Sequence, residues 1–135
     1  MNENPISNLF NRLKYQVPIW FLRQAGRHIP EYYEIRKKEN NFISFCLNEE
    51  LVIESTKLPL KYYDLDAAIV FSDILMIPWA MNRNVRFCKN LGPLLDPMIP
   101  DETLILKNIS ISEKLKPLKN SISILREDLP KSKSL

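Results

Sequence analysis

Two arginines four positions apart, Arg23 and Arg27, are the side chains of this sequence best suited to bind an anion. A guanidinium group is a rigid fork of N–H donors that fits a carboxylate through two hydrogen bonds. Gly26, between them, lets the backbone turn or approach a ligand closely. The pair predicts a clamp for a carboxylate-bearing ligand. The same spacing is also typical of a surface loop whose arginines are only solvated, and spacing alone leaves both interpretations open.

One carboxylate, Asp73, lies between two apolar runs, residues 67–71 and 74–77. An ionised carboxylate in such a place is costly unless a donor or a cation pairs with it. One interpretation is a functional carboxylate at the end of a parallel strand, where (β/α) folds hold their chemistry. The other is that Asp73 caps a following turn or helix.

Two apolar runs are expected to position these side chains. Residues 18–22 lead directly into the arginines and predict a short buried strand or extended segment. Residues 67–71 are continuously apolar and partly β-branched, which predicts a strand buried on both faces, as in a parallel sheet. Residues 85–88 predict a further short strand, whereas Gly92-Pro93 and Asp96-Pro97 indicate irregular chain.

Helices are expected between and after these runs. Pro30 suits the first turn of a helix through Lys38, since acidic residues come early in it and basic residues late. Asn48 is typical of an N-cap, and Pro59 should kink or locally break the helix that follows.

A last helix is predicted from apolar residues that step by four and three from Ile111 to Leu129. Ser110 and Glu113 have the spacing of a capping box. Because Pro117 is tolerated only in a first turn, the regular helix should begin near Lys116, and Pro130 should end it.

Composition narrows the class of protein. The 135 residues suffice for one ordinary domain, and 45% hydrophobic with 26% charged residues is typical of a globular one. The net charge of +3 comes from residues 113–135 and is too weak to indicate nucleic acid. No secretory signal is visible, and the longest apolar run, 74–81, is too short to span a membrane. We therefore expect a cytoplasmic protein.

The cysteines and the histidine indicate no metal site. Cys46 and Cys88 lie far apart without zinc-ligand spacing, so we expect free thiols in a reducing compartment. His28 is the only histidine and has no Cys near it in sequence, which favours a packing or hydrogen-bonding role.

Two long motifs in order resemble a known family. Residues 18–32 read P-I-W-F-L-R-Q-A-G-R-H-I-P-E-Y and resemble the N-terminal signature of uroporphyrinogen decarboxylase, which is close to P-x-W-x-M-R-Q-A-G-R-Y-L-P-E-Y. Residues 63–75 read Y-D-L-D-A-A-I-V-F-S-D-I-L and are similar to the family's Y-D-V-D-A-A-I-L-F-S-D-I-L. Residues 92–93 and 125–130 also fit in order, so an accidental match to an unrelated α/β domain is disfavoured.

The resemblance implies a fold and an activity. The fold is α/β: a (β/α)₈ barrel, of which residues 1–130 would form the N-terminal part and residues 131–135 a frayed end. The activity is removal of carbon dioxide from the four acetate side chains of uroporphyrinogen III to give coproporphyrinogen III, in haem and chlorophyll synthesis. The family needs no metal or organic cofactor and is usually a homodimer.

The resemblance also implies site residues. Arg23 and Arg27 would bind carboxylates of the tetrapyrrole, which carries eight of them. Asp73 would accept hydrogen bonds from pyrrole N–H groups and stabilise a ring made cationic by protonation on carbon. Three residues between the arginines would shape the loop against the ligand: Gln24, Ala25 and Gly26.

The sequence departs from the family pattern in three ways. His28 stands where the family has tyrosine, and residues 78–83 lack a glycine usual in the family. A whole barrel needs roughly 250 residues, and the family's later functional tyrosine, serine and histidine correspond to no residue here. We therefore expect no turnover by these residues alone. Either a complementing fragment supplies the rest of the barrel, or the chain is a truncated, non-catalytic remnant.

Overall fold

The computed structural model describes residues 4–11, 17–88, 91–97 and 110–135. These residues form helices around a few extended segments, with one short hairpin of two strands. In chain order the elements are α1 Pro5–Phe10, α2 Pro30–Lys37, α3 Phe42–Leu47, α4 Glu49–Tyr62, α5 Met76–Ala80, β1 Val85–Cys88, β2 Gly92–Leu95, α6 Ile111–Lys114 and α7 Lys116–Asp128.

Helix α4 begins where the sequence predicts. The Asn48 side chain accepts a hydrogen bond from the Leu51 amide at 3.1 Å, and Glu49 and Glu50 occupy the first turn, where acidic groups favour the helix dipole. The helix continues through the fully buried Pro59 to Tyr62, so the predicted local break is wrong. Packing of the last turn outweighs the missing backbone donor of proline. Helix α2, with Pro30 in its first turn, is confirmed as well.

The core lies on two faces of α4. One cluster joins α4 to α2 and α3, and its members are Ile29, Tyr32, Ile35, Phe45, Leu51 and Leu58, with Phe71 packed against them. The second joins α4 to α7 through Ala68, Leu125 and Leu129, with Ile53, Leu60, Val70 and Leu135 packed against them. Because residues 68–71 contact both clusters, the two helical layers share one extended segment.

Residues 67–71 are not a regular strand, so that prediction is wrong in its hydrogen bonding. Their chain is extended but forms only an isolated parallel bridge between Ala67 and Ser134. On the other side, the Asp66 amide donates to the Ile19 carbonyl at 2.9 Å, and the Ile19 amide donates to Asp66 Oδ2 at 2.7 Å. Residues 66–71 are therefore hydrogen-bonded on one side to the segment 17–22 and on the other to the segment 131–135.

Residues 17–22 form no regular strand, and most of them are exposed. Side-chain exposure in this segment reaches 48% at Trp20 and 85% at Leu22. The prediction of a buried strand is therefore wrong. The segment is hydrogen-bonded to Asp66 on one side, but most of its apolar side chains are not covered by the described residues.

The last five residues, 131–135, are expected to be frayed, and the structure contradicts this. The Ser134 amide donates to the Asp66 carbonyl at 2.9 Å, and the Ser134 carbonyl accepts from the Ala68 amide at 2.8 Å. Lys133 Nζ lies 2.9 Å from Asp64 Oδ1, and this bond lowers the pKa of the Asp64 carboxyl. Backbone hydrogen bonds and an ion pair therefore hold residues 131–135 against residues 64–68.

The hairpin agrees with the sequence in one strand and not in the other. β1 is confirmed at Val85–Cys88, whereas Gly92-Pro93 belongs to β2 rather than to irregular chain. The strands are antiparallel with Cys88 opposite Gly92, whose φ of 78° is easy only for glycine.

Asn82 forms the turn that follows α5. Its φ is 61°, a left-handed conformation that asparagine adopts more readily than most side chains. This residue lies in the stretch, 78–83, that lacks the family's usual glycine, so asparagine provides the turn there.

The final helix is confirmed with a correction at its start. α7 begins at Lys116 with Pro117 in its first turn, as the proline requires. Ser110 makes no side-chain capping bond to α6, so the predicted capping box is wrong.

Two buried serines allow a matched test of this packing. Ser55 Oγ has no hydrogen-bond partner among the described residues, whereas Ser121 Oγ donates to the Pro117 carbonyl at 3.0 Å. Both serines are fully buried in helices, so replacement by alanine gives both the same gain in helix propensity. We expect Ser55→Ala to raise the free energy of unfolding by up to about 1 kcal/mol, because an unsatisfied hydroxyl is removed.

Ser121→Ala is the control. The free energy of unfolding of Ser121→Ala should be about 1 kcal/mol lower than that of Ser55→Ala, because Ser121→Ala also removes a hydrogen bond. Urea denaturation followed by circular dichroism measures both. A larger loss for Ser55→Ala than for Ser121→Ala would contradict the assignment of the unpaired hydroxyl.

Candidate functional site

The loop that carries Arg23 and Arg27 is held in place by Gln24, which lies between the two arginines in sequence. This side chain is 5% exposed, accepts from the Phe21 amide at 3.0 Å and donates through Nε2 to the Ala67 carbonyl at 3.0 Å. The loop closes with a bond of 3.1 Å from the Ile29 amide to the Gly26 carbonyl. Gln24 thereby holds the loop through two backbone bonds, and its predicted role against a ligand stays a prediction.

Both arginines of the loop, Arg23 and Arg27, are exposed, and Ala25 and Gly26 are partly buried. Gly26 does not have a positive φ, and a Cβ there would meet the His28 ring at an ordinary 3.6 Å. A turn that only glycine can make is therefore not the reason for this glycine. Close approach of a ligand stays a prediction for it.

Asp73 caps a turn, which confirms the structural interpretation of this carboxylate. Its Oδ1 accepts from the Leu75 amide at 2.8 Å, and its carbonyl accepts from the Met76 amide at 3.1 Å. Asp73 is partly buried, and no donor among the described residues reaches Oδ2. One carboxylate oxygen thus fixes the side chain while the other can accept a bond from a ligand.

The charges of the loop arginines and of Asp73 act on two buried side chains, Tyr32 and Cys46. Burial raises the pKa of the Tyr32 hydroxyl against the opposing charges of Arg36, Arg27 and Arg23, while the neighbouring Cys46 adds to the increase. The loop arginines therefore act on the same hydroxyl as Arg36.

The Cys46 thiol is influenced by the charge of Asp73. Burial raises the pKa of Cys46 to about 12, the negative charge of Asp73 adds to the increase, and Arg36 opposes it. Arg23 and Arg27 thus act electrostatically on Tyr32, Asp73 acts on Cys46, and Tyr32 and Cys46 act on each other.

Aromatic rings form the floor of this region. Phe71, two residues before Asp73, packs with ring centroids 5.7 Å from Tyr32 and 5.3 Å from Phe45. The Arg36 guanidinium lies 5.4 Å from the Phe42 centroid and 5.2 Å from the Phe45 centroid, which is a cation–π arrangement. It also donates to the backbone carbonyls of residues 39 and 40, so Arg36 is a fixed charge.

Sequence reasoning missed Arg36 and Thr56. Arg36 was accounted for by the dipole of α2, and only its spacing of six residues from Phe42 could have indicated an aromatic contact. Thr56 carries no motif signal. Its hydroxyl accepts from the Phe71 amide at 2.8 Å, a partner 15 residues away.

Two cavities lie away from these residues. One of about 260 Å³ lies between α2 and α4, and another of about 870 Å³ lies between the hairpin and the start of α3. Neither is lined by Arg23, Arg27 or Asp73, so these three residues share an electrostatic neighbourhood without lining either cavity.

The predicted role of His28 can also be compared with the structure. His28 is exposed and stacks on Tyr63 with centroids 6.2 Å apart, which agrees with a packing role. Within the described ranges, no cluster of three His, Cys, Asp or Glu side chains is placed to hold a metal ion. No described helix is long and apolar enough to cross a membrane.

Helices packed on extended segments, with paired arginines after the first segment and a carboxylate after the second, define an α/β protein with a candidate anion site. Comparison with known sequences identifies its family. Residues 5–135 match the uroporphyrinogen decarboxylase (URO-D) family, and the chain belongs to it.

Relatives agree with this assignment. The chain is 38% identical to a protein named uroporphyrinogen decarboxylase from Brucella ovis over 135 residues, all of this chain and 40% of the relative. It is 43% identical to one from Brucella anthropi over 118 residues, which are 87% of this chain and 35% of the relative. The chain spans about 40% of the length of the curated relatives it matches.

The role of Gln24 can be tested by stability. Gln24→Ala leaves the Phe21 amide and the Ala67 carbonyl without their partner, so we expect the free energy of unfolding to fall by about 1–3 kcal/mol. Arg23→Ala, at the exposed neighbour, should change it by less than about 0.5 kcal/mol. Thermal and urea unfolding measure both. Equal losses would show that Gln24 does not hold the loop.

The environment of Cys46 predicts its reactivity. With the pKa raised to about 12, only about one thiol in 10⁴ is ionised at pH 8, and the thiolate is the reactive form. We expect iodoacetamide at pH 8 to modify the partly buried Cys88 and to spare Cys46 in the native chain. Mass spectrometry of tryptic peptides measures this, with chain unfolded in urea as the control. Modification of Cys46 at the rate of Cys88 would contradict the buried site.

Proposed function

We propose that this chain carries the carboxylate-binding and charge-stabilising part of a uroporphyrinogen decarboxylase site. Its reaction is removal of the four acetate carboxylates of uroporphyrinogen III to give coproporphyrinogen III. Arg23 and Arg27 bind substrate carboxylates, Ala25 and Gly26 line the loop between them, and Asp73 faces the pyrrole nitrogens.

One observation carries the proposal: the bond from Gln24 Nε2 to the Ala67 carbonyl. It joins the arginine loop to the segment that ends at Asp73, although the two residues are 43 positions apart in sequence. A ligand held by the arginines at its acidic rim can then lie with its rings near one carboxylate. The names of the relatives supply the reaction, and the placement of charges on these two segments agrees with it.

The chemistry needs a stabilised cation. A proton added to a pyrrole carbon makes the ring cationic, and the ring then accepts the electron pair of the breaking bond between methylene and carboxylate. Carbon dioxide leaves, a proton on the methylene carbon completes the methyl group, and loss of the ring proton restores the pyrrole. Each step of carbon dioxide loss consumes one proton overall.

Asp73 suits the stabilising role because its geometry is fixed before the substrate binds. Oδ1 is held by the Leu75 amide, and Oδ2 faces no donor among the described residues. A preorganised charge costs no reorganisation when the cation forms. The guanidinium forks of Arg23 and Arg27 match carboxylates of the substrate in the same way.

We further propose that residues 17–22, 66–71 and 131–135 belong to successive strands of a (β/α)₈ barrel. The other strands of that barrel lie outside these 135 residues. The exposed apolar side chains of residues 17–22 support this, since a further strand and its helix would cover them. The partner is a polypeptide segment carrying the rest of the barrel. Homodimer formation and a cytoplasmic location, which the resemblance implies, stay predictions.

The alternative is a non-catalytic chain, at most a binding fragment. The exposed apolar segment 17–22 is compatible with this alternative as well, because an uncovered apolar layer is a liability for solubility. Mixing this chain and uroporphyrinogen with the part of the Brucella ovis relative that the chain does not cover separates the two. We expect coproporphyrinogen from the mixture and none from either part alone. No product from a soluble, associated mixture would leave the non-catalytic alternative.

Asp73→Asn tests the catalytic assignment in that mixture. Asparagine keeps an oxygen for the Leu75 amide but loses the charge, so we expect kcat to fall by about 10²–10³ while the fold is retained. Glu34→Gln, an exposed carboxylate of α2 paired only with Lys37, is the matched control and should leave kcat unchanged. Product is measured by chromatography of the oxidised porphyrins. Equal rates for Asp73→Asn and the unaltered chain would remove Asp73 from the mechanism.

A further inference from the structure

The Thr56 hydroxyl connects α4 to the segment that carries Asp73. Its Oγ–H donates to the Val52 carbonyl at 2.7 Å, and its oxygen accepts from the Phe71 amide at 2.8 Å. The side chain is 1% exposed, so water does not compete for either bond. The first bond orients the hydroxyl, which leaves its lone pairs available to Phe71.

The bond at Phe71 replaces one that a sheet would make. A strand amide normally donates to the backbone of a neighbouring strand, as the Ala68 amide does to Ser134. At Phe71 the donor is directed to a helix side chain instead. The position of the chain after Phe71 is therefore set by α4, the element at the centre of both core clusters.

Asp73 lies between two fixed points. On one side is the Phe71 amide held by Thr56, and on the other is the turn in which Leu75 and Met76 donate to Asp73. Two residues of extended chain span only about 7 Å, so a shift at Phe71 is carried to the carboxylate. A misplacement of about 1 Å can cost on the order of 10² in rate at a site that depends on orientation.

We propose that Thr56 is a positioning residue for Asp73, acting through the Phe71 amide. It touches no substrate. Its hydroxyl sets the place at which the Asp73 carboxylate meets the pyrrole nitrogens, and this role rests on the proposed function. Neither motif of the family resemblance includes Thr56.

Two variants separate the hydroxyl from the shape of the side chain. Thr56→Val keeps the branched shape and removes the acceptor of the Phe71 amide. Thr56→Ser keeps the hydroxyl and removes one methyl group. Ser121→Ala, on α7, is a control for general loss of helix packing, because Ser121 bonds only within its own helix at the Pro117 carbonyl.

The first measurement is catalysis in the mixture with the remaining barrel. We expect Thr56→Val to lower kcat by about 10- to 100-fold with KM changed less than about twofold, because the arginines still bind substrate. The kcat of Thr56→Ser should stay within about threefold of that of the unaltered chain. The kcat of Ser121→Ala should equal that of the unaltered chain. A loss of kcat in Thr56→Ser as large as in Thr56→Val would overturn the proposal.

The second measurement does not depend on activity. In this chain labelled with ¹⁵N, the Leu75 amide reports on Asp73, since it donates to Oδ1. Thr56→Val should shift the amide proton signals of both Phe71 and Leu75, and Thr56→Ser should restore them. A shift confined to Phe71 would show that the hydroxyl does not position Asp73. An inactive mixture with unaltered residues would refute the proposed function, and the Leu75 signal would still decide the role of Thr56.

Discussion

Residues 66–71 are each partly or fully buried, so their backbone N–H and C=O groups need partners, and the arrangement of the candidate site depends on which partners they find. Neighbouring extended segments supply some of the partners. Side chains supply others: the Ala67 carbonyl accepts from Gln24, and the Phe71 amide donates to Thr56. Each side-chain bond brings a separate element, the arginine loop or helix α4, to the same segment. Satisfying this backbone is what brings charged groups distant in sequence into one neighbourhood.

Local chemistry explains the features that could be predicted from the sequence. The cap at Asn48, the start of α2 at Pro30 and the turn at Asp73 each depend on residues within three positions. Their physical causes are an orphan amide, a fixed φ and a short acceptor side chain, which are readable without knowledge of the fold. The family motifs added the predicted roles of the candidate site residues, which local chemistry does not contain.

The features that could not be predicted depend on distant partners. Gln24 bonds to a carbonyl 43 positions away, and Thr56 to an amide 15 positions away. The burial expected for residues 17–22 depends on what covers them, and the pairing of the last residues depends on a carbonyl at Asp66. Apolar periodicity indicates which face of a segment favours burial, but not which other segment will cover that face. The break expected at Pro59 failed for the same reason, since tertiary packing overrode a local preference.

The hydroxyl bond between Ser134 and Asn4 joins residues 130 positions apart, and it has a consequence for the order of folding. Closing so long a loop loses chain entropy that only the surrounding contacts can offset. The helices α2, α3 and α4 can pack on one another through short connections, whereas the bridge between Ala67 and Ser134 closes a long loop. We therefore expect residues 66–71 to pack against the helices first and to pair with Ser134 last.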